Sequence, residues 1–121
     1  MMYDHIGLKI KNLDASVGFY IAVLSTLGHV LRSRNDASAG FGPKDAPALW
    51  LLADRAANTA GVHVAFRALD RTAVDAFHKA GLKAGGRDNG APGLRRDYSP
   101  NYYAAFLLDP DGNNVEAVCL K

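Results

Sequence analysis

The feature that most constrains this chain is that it repeats itself. His5-Ile6-Gly7-Leu8-Lys9 near the start is echoed 58 positions later by His63-Val64-Ala65-Phe66-Arg67, in the order histidine, β-branched, small, large apolar, basic. A period of that length marks a duplicated supersecondary unit. Neither half, at about 60 residues, buries much apolar surface alone, so the halves are expected to share a core within the chain or with a partner's halves. Each copy is followed by an aspartate, Asp14 after Asn12-Leu13 and Asp70 after Ala68-Leu69, which reads as the N-cap of a helix. In the first helix Val17, Tyr20, Ile21, Leu24 and Leu27 fall on one face, with Gly28 as the stop. The second runs from about Arg71 to Ala80, with Val74 and Phe77 apolar and Gly81 as a left-handed cap.

Extended segments follow each helix. In the first half they are His29 to Ser33, a piece at Gly40 to Phe41, and Ala48 to Ala53; in the second they are Lys83 to Gly86, Tyr102 to Leu108 and Asn114 to Leu120. The last two are joined by Asp109-Pro110-Asp111-Gly112, whose residues suit a tight turn. Each half therefore reads as strand, helix and about three strands, an α+β pattern in one domain over 1–121, with one module at about 1–55 and the other at about 61–121. Residues 54–60, polar and alanine-rich, read as the linker. Residues 85–101, rich in Gly, Pro and Asn, read as a long loop.

Composition narrows the function classes. Fourteen Lys and Arg against twelve Asp and Glu leave a net charge of only +2, too balanced for a nucleic-acid binder. No stretch approaches the roughly 18 apolar residues of a membrane span, and the start lacks the apolar run of a signal peptide, so a cytoplasmic location is expected. The single cysteine, Cys119, makes neither an internal disulfide nor a thiolate metal cluster. A bound metal would have to draw on four histidines and the carboxylates.

Strand alternation sorts the candidates. Ile6, Leu8 and Ile10 share a core face, leaving His5, Gly7 and Lys9 on the other; Val64 and Phe66 likewise oppose His63, Ala65 and Arg67. Each histidine is followed two residues on by Gly or Ala, which leaves room for a ligand. Glu116 is a carboxylate in an otherwise apolar strand, and a charge there needs a partner or a metal. His5, His63 and Glu116 together make a 2-His-1-carboxylate set suited to one divalent Fe, Mn, Zn or Ni with open positions. The competing reading of each histidine is an ordinary hydrogen-bonded strand residue.

Asp4-His5-Ile6-Gly7, Val62-His63-Val64-Ala65-Phe66 and Leu108-Asp109-Pro110-Asp111-Gly112-Asn113-Asn114-Val115-Glu116, set in paired βαβββ halves, resemble the vicinal oxygen chelate superfamily. Its members include glyoxalase I, extradiol dioxygenases, fosfomycin-resistance thiol transferases and metal-free bleomycin-binding proteins. The resemblance spans nearly the whole chain. It implies two modules forming a cup-shaped mixed sheet, the glyoxalase/bleomycin resistance/dioxygenase fold, with His5, His63 and Glu116 at the metal-ligand positions. It also implies a small-molecule substrate and a homodimer.

Departures from the family pattern shape the functional expectation. Glyoxalase I resembles this chain except that it carries a second glutamate in the last strand of the first half, where the alignment puts Trp50. Tryptophan neither ligates a metal nor shuttles a proton, so the ligand shell is closer to that of a dioxygenase or thiol transferase than to that of glyoxalase I. Related enzymes often place a tyrosine ten residues before the closing glutamate, where Phe106 stands here. Parity with Phe106 then nominates Tyr102 as the catalytic phenol, with Tyr98 as a second phenol in the loop. Trp50, Phe106, Tyr98 and Arg95 would line the pocket; aromatic packing and a solvated loop, with Arg87, Arg96 and Lys83, are the competing roles. Lys9 and Arg67 would sit on the cup face or at the sheet rim. His29 and His78 read as surface residues, and Cys119 as a small buried hydrophobe. The expected function is a metal-dependent glyoxalase/dioxygenase-like enzyme acting on a small oxygen-chelating substrate. Alternatives are a non-catalytic bleomycin-resistance-like binding protein and a lactoylglutathione lyase-like isomerase.

Overall fold

The structure is a computed structural model and describes residues 2–44, 46–58 and 61–121. The elements in chain order are β1 (Ile6–Ile10), α1 (Leu13–Ser25), β2 (Val30–Arg34), β3 (Ser38–Gly42), β4 (Leu49–Ala53), β5 (His63–Arg67), α2 (Arg71–Lys83), β6 (Arg87–Leu94), β7 (Tyr103–Leu108) and β8 (Asn114–Cys119). They build two four-stranded mixed sheets with the same topology, ordered β1-β4-β3-β2 and β5-β8-β7-β6. In each sheet the first strand pairs in parallel with the last and the other neighbours are antiparallel. Each half is thus a βαβββ unit. Among the described residues no helix is long and apolar enough to cross a membrane.

Local chemistry explains the helix ends and corrects two expectations. The N-cap of α1 is Asn12, whose side chain accepts from the Ala15 N–H at 3.0 Å; Asp14 lies inside the first turn, where the helix dipole favours an acid. Asp70 does cap α2, accepting from the Ala73 N–H at 2.8 Å. Gly28, at φ 85°, ends the first helical segment as expected. Gly81 does not end the second. It lies buried within α2, and the left-handed turn falls on Gly85, at φ 97°. Gly81 is needed for space: a Cβ there would run into Leu107 and sit 3.0 Å from Val23 Cγ1 on α1.

This close approach also shifts the buried face of α1. Because α1 packs on its own sheet and on α2, Phe19 and Val23 join Val17, Tyr20 and Leu24 in the core, while Ile21 remains exposed. On β1, Leu8 and Ile10 are buried but Ile6, at the strand's start, is 37% exposed. Val64 is buried and Phe66 half-buried against the same core, which is continuous across both halves. Lys11 N–H donates to Asp111 at 2.8 Å, a further link between the halves.

The glycine-rich segment is only partly loop. Arg87–Leu94 forms β6, and the strand expected at 83–86 is instead the end of α2 and its turn. Gly and Pro weaken a strand, but β6 is an edge and pairs β7 with irregularities between Asp88 and Gly90 and between Gly90 and Gly93, where such residues are tolerated. The 54–60 segment makes a turn at Asp54, with Ala57 N–H donating to its carbonyl; residues 59 and 60 lie outside the described set.

Candidate functional site

The face of the second sheet turned away from α2 carries the polar cluster. Val64, Val115, Ala117, Ala105 and Leu107 are buried beneath the helix, so alternation directs His63, Ala65, Glu116 and Phe106 to the opposite face. Pairing register sets them side by side: Ala65 and Phe106 both lie opposite Glu116, on its two neighbouring strands. Glu116 is only 1% exposed. His63 Nε2 lies 2.7 Å from its Oε1, and the Tyr102 hydroxyl donates to its Oε2. Two donors, one to each oxygen, are what make a buried carboxylate tolerable here.

An aromatic frame surrounds this trio. The Tyr98 ring meets Tyr102 edge-on at 4.9 Å, and the Phe106 ring is 6.3 Å from His63. The Arg95 guanidinium lies over Phe106, 5.4 Å from the ring centroid, and donates to the Ala91 carbonyl at 2.6 Å. Burial of the phenol, its hydrogen bond to Glu116 and that carboxylate's charge push the Tyr102 pKa up to about 12. It therefore holds its proton at neutral pH.

The first half contributes a matching but separate face. Trp50 pairs with Gly7 as Glu116 pairs with Ala65, so the tryptophan occupies in the first sheet the register position of the glutamate in the second. Its ring lies across Gly40, where a Cβ would come within 2.7 Å of it. His5 is exposed and bonds through Nδ1 to Asp4 at 2.6 Å. It lines a groove between the halves with Ile6, Phe41, Val64 and Phe66. His5 does not join His63 and Glu116 within one chain: among the described residues, no three His, Cys, Asp or Glu side chains are grouped to hold a metal.

The remaining histidines depart from the surface role expected of them. His78 has only 12% of its side chain exposed and bonds Asp88 at 2.8 Å, tying α2 to β6; this bond, with the Gly90 N–H, lowers the Asp88 pKa. His29 lines the same groove as His5, its Nδ1 has no hydrogen-bond partner among the described residues, and burial lowers its pKa. Cys119 is buried, as its place opposite Glu116 in the alternation requires. The Arg95–Phe106 stack had a sequence signal that composition alone conceals: Gly90 and Gly93 leave the space the guanidinium fills, since Cβ atoms there would come within 3.3 and 3.1 Å of it.

A profile of the Glyoxalase/Bleomycin resistance protein/Dioxygenase superfamily matches residues 3–117. The chain belongs to that superfamily. Among solved structures, it is similar to a glyoxalase/bleomycin resistance protein from Albidiferax ferrireducens, with 30% identity over 98% of each chain and a TM-score of 0.85. A family enzyme from Burkholderia phytofirmans, at 20% identity over 98% of each chain and TM-score 0.76, shares the fold. So does the bleomycin resistance determinant encoded on transposon Tn5, at 18% identity, covering 95% of this chain and 94% of its own, with a TM-score of 0.67. No functionally curated sequence matches the chain. In this superfamily member, the buried trio on the second sheet and the histidine and tryptophan on the first are the two faces from which a cup would be built.

Proposed function

We propose that the chain is a metal-dependent, glyoxalase/dioxygenase-like enzyme acting on a small oxygen-chelating substrate, with the site shared between two copies. The observation that carries this reading is the buried Glu116 carboxylate, 1% exposed, with His63 Nε2 2.7 Å from one oxygen and the Tyr102 hydroxyl on the other. A nitrogen and a carboxylate oxygen this close suit adjacent positions on one divalent ion of Fe, Mn, Zn or Ni. His5 suits the third, and its place in a separate groove supports its arriving from a second copy of the chain in a homodimer. When bound, the ion supplies Lewis acidity toward vicinal substrate oxygens.

The residues themselves supply the rest. Glu116 accepts the single proton of the Tyr102 hydroxyl, which is kept protonated, and so orients the phenol oxygen as an acceptor toward the substrate. Phe106 offers an apolar wall beside His63, and the exposed Tyr98 ring packs edge-on against Tyr102. Trp50, at the register position of the second glutamate of an isomerase, offers no base there, which favours a dioxygenase- or thiol-transferase-like shell.

The test is metal content after purification without chelator. About one ion per chain is expected, lost in His63→Ala, Glu116→Gln and His5→Ala homodimers. A mixed dimer of His5→Ala and Glu116→Gln chains should regain one ion, because one composite site is intact. No metal in the parent protein would leave the sequestering role instead, and no recovery in the mixed dimer would place all three donors in one chain.

A further inference from the structure

We infer that Arg95 forms a carboxylate-binding subsite at the far end of the same site, making the ligand a small organic acid. The inference rests on reading His63 and Glu116 as the reacting end. Arg95 is a half-buried cation with an aromatic ring under one face, and no carboxylate pairs with it among the described residues. One Nη is engaged by the Ala91 carbonyl, which orients the guanidinium while leaving further N–H groups to donate. Gly90 and Gly93 clear the strand beside it, so the cation lies along β6 on the face that carries Phe106 and Glu116. A planar fork pre-set in this way matches a carboxylate with two parallel hydrogen bonds, and partial burial strengthens them.

The span sets the ligand's size. Gly90 pairs with Phe106 and Phe106 with Glu116, so Arg95 and Glu116 are centred two strand spacings apart, roughly 10 Å. A one-ring acid fits, with its carboxylate on Arg95, its ring along Phe106 and its oxygen function near His63 and Tyr102.

Isothermal titration with 4-hydroxybenzoate and its neutral analogue 4-hydroxybenzamide tests this, using both chelator-treated and metal-reloaded protein. The parent should bind the acid about tenfold tighter than the amide, the scale of a charge-assisted hydrogen bond. Arg95→Gln should abolish that preference, and Arg96→Gln, which removes an exposed neighbouring charge, should keep it. No preference in the parent, or a preference that survives Arg95→Gln, would overturn the subsite. Failure of the metal reading shows separately, as absence of bound metal, and leaves the acid-to-amide ratio of chelator-treated protein to decide the role of Arg95.

Discussion

The Tyr20 hydroxyl of α1 donates at 2.6 Å to Oδ2 of Asp109, in the turn between β7 and β8. The bond crosses from the first half of the chain to the second and is buried on both sides. Asp109 also accepts from the N–H groups of Asp111 and Asn113 and from Asn113 Nδ2. Burial, followed by the Asp109 charge, raises the Tyr20 pKa well above its ordinary value, so the phenol remains a donor. This contact between the halves therefore also organises the turn feeding Glu116 into β8.

Removing only that hydroxyl isolates its contribution. Tyr20→Phe should lose about 1–3 kcal/mol in urea unfolding, because a buried carboxylate gives up one donor. An unchanged midpoint would mean that the turn supports Asp109 without help from α1.

The crossing of α1 and α2 depends on the missing side chain at Gly81. Gly81→Val should cost about 3 kcal/mol through overpacking against Leu107 and Val23. Gly85→Asn, at a left-handed position with nothing within 4 Å of a Cβ, should change stability by less than about 1 kcal/mol. Equal effects would show that the helices can separate at little cost.

Metal binding should register as stability. With free Ni, Mn or Zn at about 100 times Kd, linkage adds about 2.7 kcal/mol, visible as a higher Tm. His63→Ala and Glu116→Gln should abolish the shift. A full shift in either variant would remove that residue from the ligand set.

His29 gives the protein a pH dependence of known sign. Burial lowers its folded pKa below 6.5, so the unfolded chain takes up a proton first as pH falls. Its contribution to stability is present above pH 6.5 and is lost as pH falls through the folded pKa. The Tm difference between pH 7.5 and 5.5 should shrink in His29→Gln, with His5, His63 and His78 unchanged as the background. A parent and variant with the same pH slope would show that the unpartnered Nδ1 is solvated.

Much of the architecture could be read because the signals are local. Strand alternation placed Leu8 and Ile10 on one face and His63 and Glu116 on a polar one, and the duplicated pentapeptide announced two equivalent halves. Misreadings arose where tertiary contacts override local rules. Gly81 has a cap's chemistry, yet it serves as a gap between helices. The Gly- and Pro-rich 87–94 segment has a loop's composition, yet β7 recruits it as an irregular edge strand.

By itself, the sequence determined that there are two βαβββ halves and that His5 and His63 are equivalent, while its resemblance to the superfamily implied that Trp50 stands where glyoxalase I has a second glutamate. Period and alternation are properties of the chain's own geometry. Only the tertiary structure decided which of these groups meet. It closed Tyr102 and His63 onto Glu116 and laid Arg95 over Phe106, while leaving His5 in a groove with His29. These outcomes depend on the register in which β5, β6, β7 and β8 pair. They join separate strands, so a local pattern shows which face a side chain takes but not which partner it meets.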